Sequence, residues 1–122
     1  MPQKNLFVGV NEPEDMNDLS DLEKKHIPVI EAPDSVKVGQ PFTVNIEVGK
    51  LKDHPNEHKH WIEFIDLYAD DTFICRADFR AQKANPKMTC EVMLEGPAKE
   101  LCAYENCNMH GTWVGRKSIN VQ

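Results

Sequence analysis

From residue 28 onward, hydrophobic and polar positions alternate with a period of two in several short stretches. Successive side chains of a strand point to opposite faces, so this alternation predicts strands with one buried face. The stretches are 41–48, 60–70, 72–79, 88–95, 100–106 and 112–121, with Gly, Pro, Asn and Asp clusters between them. No helical crossover separates them, which disfavours a parallel α/β sheet. The pattern predicts an all-β, antiparallel β-sandwich.

In the stretch 72–79, the alternation predicts Phe73, Cys75 and Phe79 on one face. Cys90 lies on an apolar face of the stretch 88–95 in the same way. Buried free cysteines behave as small hydrophobic residues, and this is the role we expect for Cys75 and Cys90.

The chain before the strands is acidic and has no basic residue between Glu12 and Lys24. Pro13 and the acids after it suit a helix start, and Lys24 with Lys25 suits its end, because each complements the helix dipole. The sequence therefore predicts a short acidic helix from Pro13 to Lys25.

The 122 residues suit one domain, with 1–27 as an N-terminal segment and 28–122 as the sandwich. A formal charge of −6 and a pI of about 5.3 argue against a nucleic-acid partner. No apolar run approaches the ~20 residues that span a bilayer. The first residues do not resemble a secretory signal, and the four cysteines are too few for a disulfide scaffold. We therefore expect a cytoplasmic protein with free thiols and without a Cys102–Cys107 disulfide.

Two clusters of residues could bind a metal. His54, His58 and His60 form the first, and Cys107 with His110 forms the second. A Cys and a His three residues apart across a turn can face one metal ion. The residues alone leave open which histidines of the first cluster bind, and a polar loop without metal explains that cluster equally well.

Taken together, three motifs resemble those of the superoxide reductases, the neelaredoxin and desulfoferrodoxin family. They are Lys25-His26-Ile27-Pro28, His54-Pro55 followed by His60, and Cys107-Asn108-Met109-His110-Gly111. Their order and spacing both agree with the family pattern, and they span residues 25–111. The chain resembles the one-iron type, which lacks the N-terminal rubredoxin-like domain.

The resemblance implies an immunoglobulin-like sandwich with one mononuclear non-haem iron per chain. Its ligands would be His26, His54, His60 and His110, with Cys107 as the axial thiolate, while His58 would be spare. The implied activity is one-electron reduction of superoxide to hydrogen peroxide, an oxidoreductase function in electron transport and detoxification. Rubredoxin or a similar small redox protein would supply the electron, and the chain would form a homodimer or homotetramer.

The resemblance also assigns roles near His26. Lys25 stands where the family has a lysine that attracts superoxide. The family glutamate that caps the ferric ion is replaced here by Lys24, with Glu23 one residue earlier. We expect that Glu23 does not bind the iron, because a shift of one residue changes the direction of its side chain. Lys24, Lys25, Lys52 and Lys59 could form a basic collar around the site.

Two other functions remain open at this stage. A cupredoxin-like copper electron carrier also pairs a Cys with a nearby His in a β-sandwich, but it needs an axial Met after that His. Here Gly111 follows His110, and Met109 precedes it. An immunoglobulin-like interaction module with a structural zinc would use four ligands, whereas the motifs here offer five.

Overall fold

The structure is a computed structural model, and it describes residues 5–122. Within this range the chain forms ten strands and one helix. In chain order these are β1 (Val10–Asn11), α1 (Asp21–His26), β2 (Val29–Glu31), β3 (Ser35–Val36), β4 (Phe42–Glu47), β5 (Ile62–Ala69), β6 (Thr72–Asp78), β7 (Lys87–Val92), β8 (Glu100–Cys107), β9 (Gly111–Ser118) and β10 (Asn120–Val121). No helix in this range is long and apolar enough to cross a membrane.

The strands form a sandwich of two main sheets. One has five strands in the order β1-β9-β8-β5-β6, and the other has three in the order β2-β4-β7. Their inward-facing residues share one hydrophobic core. The long strands pair antiparallel, as the alternation predicts, and each predicted stretch contains an observed strand. The predicted fold class is confirmed.

Two parallel pairs join the beginning of the chain to its end. Strand β1 pairs with β9, and β3 pairs with β10 in a separate two-stranded sheet. These strands have only two residues each, too few to show an alternation. The segment before residue 28 therefore contributes a strand to the sandwich that its sequence pattern did not indicate.

The prediction of a helix starting at Pro13 is wrong, because α1 begins at Asp21. Ser20 is its N-cap: the Ser20 hydroxyl accepts the Glu23 N–H at 3.1 Å, and the Glu23 carboxylate accepts the Ser20 N–H at 2.8 Å. This reciprocal capping box fixes the helix start. Further upstream, the Asp15 carboxylate accepts the Asn17 N–H, a local bond that favours a turn over a helix.

The predicted common face of Phe73 and Cys75 is also wrong. The register of β5 against β6 shifts between Leu67 and Tyr68, so Tyr68 pairs with Phe73 while Leu67 pairs with Cys75. The irregularity turns Phe73 to the outer face, where its ring lies 5.5 Å from that of Tyr68. Cys75 faces the core beside Leu67 but is only half-buried. A bulge inserts an extra residue on one strand and breaks the period of two.

Candidate metal centre

Three separate parts of the chain contribute side chains to one group of potential metal ligands. The ligand atoms all lie within 4.8 Å of one another, and they belong to His26, His54, His60, Cys107 and His110. His58 is exposed and lies outside this group. The structure thus brings together the five residues that the resemblance implied and leaves out the spare histidine.

The turn between β8 and β9 carries two of these residues. Cys107 ends β8 and is fully buried, and its Sγ lies 3.7 Å from Nδ1 of His110. Gly111 follows with φ of +81°, a conformation that side-chain-bearing residues rarely adopt. A Cβ at Gly111 would also overlap the main-chain carbonyl of Leu6. Glycine is therefore required on both counts for the turn that aims His110.

His26 is the last residue of α1 and is almost completely buried. Its Nδ1 lies 2.7 Å from the Leu22 carbonyl oxygen. A carbonyl can only accept, so Nδ1 carries the proton and Nε2 presents a lone pair to the group. The indole of Trp113 stacks on the imidazole at 5.2 Å and donates Nε1–H to the His110 carbonyl. Trp113 therefore holds two of the histidines in their orientation.

His54 is oriented by the same chemistry on a different segment. Its Nδ1 lies 2.6 Å from the Pro55 carbonyl oxygen, so Nδ1 must donate. Its Nε2 is then free as an acceptor and lies 3.4 Å from Sγ of Cys107. A neighbouring carbonyl that fixes the tautomer is the usual partner of a metal-binding histidine.

Asn108 holds the His60 segment against the turn. Its amide group donates to the Lys59 carbonyl at 2.8 Å and accepts the Trp61 N–H at 2.9 Å. These two bonds bracket His60 on both sides. The sequence motif contained Asn108, but reasoning from sequence gave it no role, because its partners lie almost 50 positions earlier in the chain.

Burial favours the neutral form of three of the imidazoles. It lowers the pKa of His26 to about 4 and that of His54 to about 4, and it also lowers the pKa of His110. Burial raises the pKa of the Cys107 thiol to about 11, while hydrogen bonds from the N–H groups of Met109 and His110 oppose that rise. Neutral imidazoles are ready to bind a metal, whereas the thiol must first lose its proton.

Glu105 is a further residue that reasoning from sequence missed. It lies two positions before Cys107 on the same face of β8 and is fully buried. Neither carboxylate oxygen has a hydrogen-bond partner within the described part of the chain, and burial raises the pKa of Glu105 well above its usual range. The sequence indicated its burial only through its position among the inward-facing residues of the strand.

Glu23 is not part of the group, and one lysine acts on it through its charge. The charge of Lys25 adds to burial in lowering the pKa of His54 and His110. Lys24 is its half-buried neighbour on α1. The Glu23 carboxylate is engaged in the helix cap, and Lys52 forms an ion pair with Asp21 at 2.9 Å.

The donor set fits a transition metal ion. The Nε2 atoms of His26 and His60 are buried and have no hydrogen-bond partner among residues 5–122. An unpaired buried nitrogen is costly, and a metal ion would satisfy both. Imidazole nitrogens with one thiolate are ligands that suit iron, copper and zinc. Five such donors exceed the four of a structural zinc site.

Comparison with known proteins shows the family to which this donor set belongs. The sequence pattern of the desulfoferrodoxin family matches residues 18–116, which include all three motifs. The chain belongs to the desulfoferrodoxin family. The assignment made from the motifs is therefore confirmed.

Three proteins to which this chain is similar match it over most of their length. A putative superoxide reductase of Methanocaldococcus jannaschii is 38% identical over 118 residues, covering 93% of this chain and 95% of the relative. The superoxide reductase of Pyrococcus furiosus is 33% identical over 113 residues, covering 79% and 89%. Among solved structures, the superoxide reductase (neelaredoxin) from Ignicoccus hospitalis has a TM-score of 0.72 and 38% identity, covering 80% of this chain and 81% of that one.

Proposed function

We propose that this protein is a superoxide reductase, an oxidoreductase that reduces superoxide to hydrogen peroxide with an electron from an external donor. The observation that carries the proposal is the group of four histidines and Cys107, with ligand atoms within 4.8 Å, in a chain of the desulfoferrodoxin family. Each turnover consumes one superoxide, one electron and two protons, and yields one hydrogen peroxide.

The proposed cofactor is one mononuclear iron ion, held by His26, His54, His60, His110 and Cys107. When bound, the iron would supply the electron to superoxide by passing from the ferrous to the ferric state, and the donor would restore it. The thiolate is the strongest electron donor of the set. The N–H groups of Met109 and His110 bond to its sulfur and so set how much electron density it can give.

Lys25 has the role of attracting the substrate. Its positive charge acts on the rings of His54 and His110, whose pKa it helps to lower. A flexible cation at this position attracts the superoxide anion without binding the metal. Glu23 has no role at the metal in this proposal, since its carboxylate caps α1.

The electron donor is proposed to be rubredoxin or another small redox protein, and the chain is proposed to act as a homodimer or homotetramer. Lysines near the metal group would attract an acidic donor by the same electrostatics that attract superoxide. Measuring the oxidation of reduced rubredoxin by superoxide in the presence and absence of the protein tests the donor. Light scattering tests the assembly.

The decisive experiment measures metal content and the products of superoxide consumption. We expect one iron per chain, and one peroxide per superoxide with no oxygen release when a reductant is present. Cys107→Ser should lose the ferric thiolate colour and the activity, while Cys102→Ser, a matched change on the outer face of β8, should keep both. Oxygen evolution at half the superoxide consumed, without any donor, would identify a dismutase instead. A blue copper or a colourless zinc protein would support the other two functions considered.

A further inference from the structure

Two cysteines outside the metal group face each other across the sandwich. Cys75 lies on β6, the edge strand of the five-stranded sheet, and Cys90 lies on β7, the edge strand of the three-stranded sheet. Their register partners, Leu67 and Val44, are fully buried, so both thiols point inward from opposite sheets. The two Sγ atoms are 3.1 Å apart. Sulfur atoms this close need only a small movement to form a bond.

The surroundings of the pair give the two thiols different roles. The Cys75 thiol donates a hydrogen bond to the Cys90 sulfur, and burial raises the pKa of Cys75 to about 12. Cys75 therefore stays protonated and donates to the Cys90 sulfur, while the Cys90 thiol donates to the Glu91 carbonyl at 3.7 Å. Both residues are half-buried at the edge of the core, so part of each side chain is open to solvent.

We propose that Cys75 and Cys90 are a peroxide-sensitive thiol pair that forms a reversible disulfide between the two sheets. The Cys90 sulfur attacks one oxygen of hydrogen peroxide, the O–O bond breaks, and one water leaves with Cys90 as a sulfenic acid. The Cys75 sulfur then displaces the sulfenic oxygen as a second water, and the S–S bond forms. Two thiols and one peroxide give one disulfide and two waters. A dithiol reductant reverses the reaction.

The source of the oxidant rests on the proposed function, since hydrogen peroxide is the product of superoxide reduction. The pair itself does not depend on that function, because added peroxide can oxidise it directly. The cross-link would close the open edge of the sandwich between β6 and β7. It would also constrain the 79–86 connection, which joins these two strands.

The experiment treats the purified iron-loaded protein with hydrogen peroxide, blocks the remaining thiols with an alkylating agent, and maps the tryptic peptides. Cleavage separates the cysteines, because peptide 60–76 contains Cys75, peptide 88–99 contains Cys90, and peptide 100–116 contains Cys102 and Cys107. Cys102 is the matched control thiol. It is buried on the face of β8 opposite to that of Cys107, and Nη1 of Arg116 lies 3.5 Å from its sulfur.

We expect peptides 60–76 and 88–99 to become linked within one chain, and the link to disappear after dithiothreitol, while Cys102 remains alkylated. The oxidised protein should melt about 5–10 °C higher than the reduced protein. Cys75→Ser should leave a sulfenic acid on Cys90 that dimedone traps, whereas Cys90→Ser should leave Cys75 largely unreacted. These two variants also check that the reactivity belongs to the pair and not to altered folding.

Three results would overturn the proposal: no linked peptides at any peroxide concentration, a link only between two chains, or equal oxidation of Cys102. A parallel sample that turns over superoxide with a donor separates the two claims. If added peroxide links the peptides but turnover yields no peroxide, the proposed function fails and the thiol pair stands. If turnover yields peroxide but neither sample forms the link, the thiol pair fails and the proposed function stands.

Discussion

The metal group has two halves that the chain positions by different means. Cys107 and His110 come from one hairpin turn, where three residues of sequence and the left-handed conformation of Gly111 fix their geometry. His26, His54 and His60 come from two other segments, which the fold brings to the turn through contacts such as the stacking of Trp113 on His26 and the bonds of Asn108 on either side of His60. Local sequence determines the first half, and tertiary contacts bring the second half to it.

The two halves should therefore respond differently to mutation. A substitution in the turn displaces Cys107 and His110 directly. A substitution in a supporting contact displaces a histidine only if its segment moves. Asn108 connects the halves, because it belongs to the turn in sequence and bonds to the main chain on both sides of His60.

Gly111→Ala should have the largest effect, since it disturbs the turn itself. The alanine would be strained at a φ of +81°, and its Cβ would overlap the Leu6 carbonyl. We expect a loss of at least about 2 kcal/mol in the free energy of unfolding, with loss of metal binding. Urea denaturation and metal analysis measure both. Gly39→Ala is the control: Gly39 has a similar φ of +78°, but its Cβ would meet nothing within 4 Å, so metal binding should persist.

Acid should lower the free energy of unfolding of the metal-free protein, because it contains buried neutral histidines such as His26. The folded-state pKa of His26 is about 4, against an ordinary value of 6.5, so the unfolded chain binds more protons between these values. The stability contribution of neutral His26 is therefore full above pH 6.5 and is lost as pH falls through 4, by about 3 kcal/mol. We expect His26→Gln to flatten this part of the pH dependence of urea unfolding, and the exposed His58→Gln to leave it unchanged. Equal slopes in wild type and His26→Gln would contradict the assignment.

Asn108→Ala tests the link between the halves. It leaves the Lys59 carbonyl and the Trp61 N–H without their partners, which should cost about 1–2 kcal/mol of unfolding free energy. Displacement of His60 should lower metal affinity by about 10–100-fold, the range typical of residues that orient a ligand. Competition with a chelator measures the affinity. Asn108→Asp keeps the acceptor for Trp61 but loses the donor to Lys59, so it should fall between the wild type and Asn108→Ala.

The smallest effects should come from residues around the group. We expect Lys25→Ala to slow superoxide reduction severalfold, and the rate of the wild type to fall as salt rises, because a positive charge that attracts the anion is lost or screened. Glu23→Ala should change neither the rate nor the ferric spectrum by a comparable amount, but it removes half of the capping box and should cost about 1 kcal/mol of stability. Stopped-flow kinetics and thermal unfolding separate these two roles. A clear spectral shift in Glu23→Ala would show that its carboxylate reaches the metal.

The same division explains what could be predicted from the sequence. The long strands were predictable because one buried face imposes a period of two, and the Cys107–His110 pair was predictable because its geometry is local. The helix start was missed because the capping box of Ser20 and Glu23 outweighs the acidic stretch before it. The face of Phe73 was missed because a bulge has no reliable signature in one sequence.

The histidines outside the turn show most clearly what could not be predicted from the sequence. The spacing of His54, His58 and His60 could not decide among them, because Pro55 interrupts the extended phase, and only the resemblance selected His54 and His60. The structure places these two in the group, while their binding of iron stays a prediction. The hydrogen bonds of Asn108 on either side of His60 could not be predicted from the sequence, since they join residues that only the fold brings together.

The pairing of the chain's beginning with its end has a consequence for biosynthesis. Strands β1 and β3 pair with β9 and β10, which lie much later in the sequence and are therefore made after them. Cys107 and His110 are likewise made after the other three histidines of the group. Until the turn at 107–110 has been made, the emerging chain has three of the histidines but neither the thiol nor the sheet that orients them. The complete metal group can therefore form only after this turn has left the ribosome, and until then the partly formed sandwich leaves strand edges open to other nascent chains and to chaperones.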